Sequence, residues 1–92
     1  MSTPLAYKLL VRGTGLRRTI DGVDTAVGVY ATLFVTEADE PAARAVAIGE
    51  LRARLVAKGA ITERTQLAVE SIEQICADQI PKVQPGLAFY RE

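Results

Sequence analysis

Gly28-Val29-Tyr30-Ala31-Thr32-Leu33-Phe34-Val35-Thr36-Glu37-Ala38-Asp39-Glu40-Pro41 decides the fold of this 92-residue chain. Its first half is rich in β-branched and aromatic residues, which suit a pleated strand. Its second half carries the start signals of a helix. Asp39 can accept a free amide of the first turn, Glu40 places negative charge at the positive helix end, and Pro41 is tolerated where no amide donor is needed. An Ala-rich run then leads to Lys58-Gly59, a basic residue and a glycine suited to stopping a helix. The stretch therefore reads as a strand followed by a capped helix.

Working back from it, the strand extends from about Ala26 to Thr36. Val27, Val29, Ala31, Leu33 and Val35 lie on one face; Tyr30, Thr32, Phe34 and Thr36 lie on the other. Large apolar groups on both faces predict a central strand. Asp21-Gly22 is a tight-turn signal, and before it Leu5, Tyr7, Leu9 and Val11 alternate with Ala6, Lys8, Leu10 and Arg12. The two strands make a long antiparallel hairpin, interrupted near Gly13-Thr14-Gly15 by a bulge or bend.

Working forward, Gln66 to Ile80 is ambiguous. On a helix, Val69, Ile72, Cys76 and Ile80 would share a face. As a strand, Leu67 and Val69 alternate correctly, but the pattern fails after Ser71. A helix needs more than two strands to cover, which favours a third strand over Gln66–Ile75. The expected fold is α+β: a ββαβ arrangement, with a mainly antiparallel three-stranded sheet covered on one face by one helix. Pro81 and Pro85-Gly86 mark a loop, and Leu87, Phe89 and Tyr90 form an apolar tail able to add a short fourth strand. Residues 1–92 read as a single domain.

The segment Tyr30–Val35 with Glu37-Ala38-Asp39, and the closing Pro85-Gly86-Leu87-Ala88-Phe89-Tyr90-Arg91-Glu92, resemble a group of small uncharacterised bacterial domains. In those, an aromatic-x-Thr-x-Phe-Val strand leads into a capped helix, and a Gly-aromatic-x-Phe-Tyr-x-Glu tail closes the chain. Leu87 stands where that pattern has an aromatic residue. The resemblance implies a third strand before the tail and carries no activity.

Composition narrows the function classes. With 49% apolar and 24% charged residues, the chain can bury a core rather than remain disordered. Eleven basic residues balance eleven acidic ones. Tight phosphate binding usually needs a basic excess, so nucleic acid is disfavoured. No apolar run reaches the ~20 residues needed to cross a bilayer. Met1-Ser2-Thr3-Pro4 lacks the pattern of a signal peptide, and the single Cys76 rules out an internal disulfide. A cytoplasmic, reducing compartment is expected, with no membrane association.

Catalytic constellations are scarce. The chain has no histidine, which removes the commonest general base and metal ligand. Cys76 lies next but one to Asp78 and is expected to be buried and inert. Asp21 and Asp24 read as turn chemistry, Glu70 and Glu73 as a solvated face, and Gly13-x-Gly15 as a bulge rather than a phosphate loop. No catalytic residue, cofactor or metal is expected, and the chain is read as a non-enzyme.

Two binding readings survive. In the helix, Ile48, Leu51 and Leu55, with Ala47 at the margin, form the expected core face. A second strip contains small residues at spacing four: Ala45, Gly49 and Ala53. Small residues let another backbone approach, so this strip, or an open strand edge, is a candidate dimer contact. The first reading is thus a domain acting by protein–protein interaction, including homodimerisation. The alternative is nucleic-acid or anionic-ligand binding through Arg12, Arg17 and Arg18 of the hairpin. It requires those three to converge without carboxylate partners. Residues 1–20 carry four basic groups and no acid, whereas 21–43 carry five acids and no base among them before Arg44. Pairing across the hairpin would offset these blocks.

Overall fold

Asp21 and Gly22 both adopt positive φ, at 51° and 78°. That is the signature of the tight turn whose twist matches a β-hairpin. The turn joins β1 (Leu5–Ile20) to β2 (Val23–Glu37). The computed structural model describes residues 4–92. After β2 come α1 (Glu40–Ala57), β3 (Gln66–Ile75), a single 3-10 turn at Ala77–Gln79, and β4 (Leu87–Arg91). The sheet is antiparallel throughout, in the order β3-β1-β2-β4. The class is the expected α+β, with four strands rather than three because the C-terminal tail pairs with β2 from Val27↔Arg91 to Ala31↔Leu87.

Two bulges tune the sheet. In β1 the register steps from Gly13↔Val29 to Leu16↔Val27, so β1 holds one extra residue. Gly15 takes φ 69 there, a conformation most side chains avoid. The extra residue lets Leu16 return to the core side already held by Leu9 and Val11; Leu16 is buried. In β3 the register steps from Leu10↔Ser71 to Val11↔Val69, leaving Glu70 unpaired. This explains the broken alternation after Ser71. Val69 and Ile72, three apart, both pack against the core because the bulge lies between them.

Helix α1 starts and stops as its sequence dictates. The Asp39 carboxylate accepts a hydrogen bond from the Ala42 amide at 2.9 Å. At the other end Gly59, at φ 67, allows its amide to donate to the Val56 carbonyl and the Ala60 amide to the Leu55 carbonyl. This pair of bonds satisfies carbonyls that the helix itself leaves open. Ala43, Ala47, Leu51 and Leu55 are each 0% exposed and face the sheet. The buried stripe is therefore rotated from the expected one: Ala47 sits at its centre and Ile48 at its margin, half-buried. Ala43, Ala47, Leu51 and Leu55 share one core with Val11, Ala31 and Leu33 of the strands.

Candidate functional site on the open face of the sheet

One helix covers one face of the sheet, and alternation along the strands builds the other. Opposite Leu9 and Val11, β1 presents Ala6, Lys8, Leu10 and Arg12; β2 presents Gly28, Tyr30, Thr32, Phe34 and Thr36. Register aligns these into rows. Tyr30 faces Arg12, which faces Ala68; Thr32 faces Leu10, which faces Ser71; Phe34 faces Lys8, which faces Glu73. Rows on one face lie about 7 Å apart. Leu10 and Phe34 are half-buried, and Tyr30 is 40% exposed.

A cluster at one end holds the C-terminal strand to this face. The Arg12 Nε–H donates to the Tyr90 hydroxyl at 2.9 Å. The Arg12 guanidinium carbon lies 5.8 Å from the ring centroids of both Tyr30 and Tyr90. The two rings are 5.3 Å apart and tilted by 32°. The hydrogen bond to Tyr90, followed by the influence of the Tyr30 and Tyr90 phenols, raises the Arg12 pKa above its ordinary value. Gly28, opposite Tyr90 in the register, makes the arrangement possible: a Cβ there would overlap the Tyr90 ring, with Cε1 at 2.7 Å. On the helix side Phe89 lies under Arg18, whose guanidinium carbon is 4.4 Å from the ring centroid. Beyond the strand, the Glu92 carboxylate accepts from the Gly15 amide at 3.0 Å.

The three hairpin arginines therefore do not all converge: Arg17 and Arg18 line one hollow of about 450 Å³ with Lys58 and Asp24, and Arg12 stands apart from them. Arg12 lies among tyrosines on the open face, and Arg18 over Phe89 on the other. Arg17 pairs with Asp24 at 2.8 Å, the cross-hairpin compensation expected from the charge blocks. Both of these side chains are more than half exposed, so the pair contributes at most about 1 kcal/mol.

Ala45, Gly49 and Ala53 lie together on the exposed side of α1, and a Cβ on Gly49 would meet nothing within 4 Å. Cys76 is exposed, contrary to expectation. It falls just past the end of β3, where neither the strand's inward alternation nor a helical stripe applies. Sequence reasoning missed the tyrosine–arginine cluster. The available signal was Gly28 inside a strand, which marks close approach by another group.

A hollow of about 480 Å³ lies beside the β1 bulge and is lined by Gly15, Arg17, Thr62, Arg64 and Glu92 among others. The structure already occupies its backbone groups. The Gly15 carbonyl accepts from the Thr62 and Thr65 hydroxyls, and its amide donates to Glu92. No helix among the described residues is long and apolar enough to cross a membrane. No protein-family model matches the chain, and no curated protein or solved structure shows significant similarity to it.

Proposed function

We propose that this protein acts by binding protein, and that its partner is a second copy of itself docked on the open face of the sheet. The observation that carries the reading is Tyr30, 40% exposed in the row next to half-buried Leu10, on a face that α1 does not cover. Exposed Tyr held by a neighbouring Arg is the composition of binding hot spots. The face also carries Lys8 and Arg12 against Glu73, with Glu70 at the adjoining bulge. Mixed signs suit a two-fold contact, in which each acid can meet a base of the other copy. They do not suit a polyphosphate.

Other contacts are less well supported. The outer edge of β3 carries Glu70 at a bulge and Glu73, both devices that discourage strand addition. Beyond β4, the rim of β2 is capped at Phe34. Its amide donates to the Gln84 side-chain oxygen at 3.4 Å, and its carbonyl accepts from the Gln84 amide nitrogen at 3.1 Å. The strip Ala45–Gly49–Ala53 consists of small groups with little area to bury.

The open face measures about 27 Å by 14 Å from strand length and spacing. Two copies would bury roughly 750 Å², below the usual size of a tight complex, so the dimer is a weak one, of micromolar or lower affinity. Sedimentation velocity over about 5–500 µM tests this. The average mass should rise towards that of a dimer, and equally so for Gly49→Leu. A monomer throughout refutes self-association. A dimer broken by Gly49→Leu moves the contact to the helix.

A further inference from the structure

The open face holds a projection and a hollow side by side. The hollow, of about 290 Å³, is lined by Lys8, Leu10, Thr32, Ser71, Ile72 and Glu73. It exists because the short side chains of Thr32 and Ser71 flank Leu10 in one row, between taller rows on either side. The adjacent row carries Tyr30, about 7 Å away along the strand. Tyr30 is the taller feature: it is 40% exposed, and its ring is braced by Tyr90 at 5.3 Å and by Arg12.

A two-fold axis lying in the plane of the face, between these rows, exchanges projection and hollow. We infer that Tyr30 of each copy inserts into the Lys8–Leu10–Glu73 hollow of the other, as the paired anchors of the dimer. This rests on the self-association proposed above and names its contact. The chemistry matches. Leu10 offers an apolar floor to the ring, and Lys8, Ser71 and Glu73 offer polar partners to the phenol at the rim. Bracing by Arg12 and Tyr90 limits the rotamer freedom Tyr30 would lose on binding.

Two substitutions test the two halves. Tyr30→Ala removes the projection. Ser71→Tyr fills the hollow on an exposed strand position where an aromatic side chain favours the strand, so the fold is retained. Dimer dissociation constants come from sedimentation equilibrium, with urea unfolding of each variant as the control for folding. Each single variant should weaken the dimer at least about ten-fold, as expected for an anchor residue. The double variant should be no weaker than the worse single one, because both break the same contact. A wild-type dimer left intact by folded Ser71→Tyr overturns this contact while self-association stands. A wild-type chain that stays monomeric at about 500 µM overturns both.

Discussion

Gly28→Ala tests the cluster that braces the open face. The added Cβ would overlap the Tyr90 ring, with Cε1 at 2.7 Å, so the ring must leave its place. Three interactions go with it. The Arg12 hydrogen bond and the Arg12 cation contact with the Tyr90 ring are both lost at an exposed site. The tilted contact with Tyr30 contributes about 0.5–1.5 kcal/mol. These terms overlap, because one ring motion breaks all of them, and the joint loss is about 1–3 kcal/mol, the usual scale of overpacking. Against this, alanine is better than glycine inside a strand by about 0.5–1 kcal/mol. The net destabilisation is about 0.5–2 kcal/mol, measured by urea unfolding at low micromolar concentration so that association does not contribute. In a Tyr90→Ala background the same change should reverse sign and stabilise by about 0.5–1 kcal/mol, since only the strand preference remains. An equal loss in both backgrounds would refute the reasoning, placing the clash somewhere other than Tyr90.

Asp39→Ala should destabilise by about 1 kcal/mol, because the Ala42 amide loses its 2.9 Å acceptor; urea unfolding with an unchanged slope checks it. Burial first, then the negative charges of Glu40 and Asp39, raise the Tyr7 phenol above its ordinary value of 10.0. The neutral phenol is therefore favoured by folding: its contribution is intact below pH 10.0, the unfolded value, and is lost as pH rises through the higher folded one. Tyr7→Phe should remove that alkaline loss, so the stability of wild type relative to the variant should fall as pH rises above 10.0. Cys76 is exposed, and thiol labelling of the folded protein should proceed at a rate close to that in denaturant.

The hairpin and the capped helix were legible because each rests on local chemistry, whereas the third strand followed from the need for a sheet broad enough to carry the helix. Asp21-Gly22 specifies its turn, Asp39 and Gly59 specify the helix ends, and period-two alternation specifies β1 and β2. What the local pattern hid was non-local. The break after Ser71 looked like a failure of strand alternation, and only pairing with β1 shows it to be a bulge at Glu70. The stripe of α1 was displaced towards Ala43 and Ala47, which hydropathy alone does not distinguish from the exposed alanines of the same helix. The arginines are close in sequence, but Arg12 lies across the bulge from Arg17 and Arg18, which line one hollow that also holds the carboxylate partner of Arg17, Asp24. The Arg12–Tyr30–Tyr90 cluster joins residues up to 78 positions apart, which no periodicity in the chain announces.

The most direct test of the account is a dilution series followed by amide chemical shifts, from about 1 mM to about 20 µM. Self-association through the open face predicts concentration-dependent shifts at Leu10, Tyr30, Thr32 and Ser71, with Ala45, Gly49 and Ala53 unchanged. Shifts confined to the helix strip, or spectra that do not change on dilution, would contradict it.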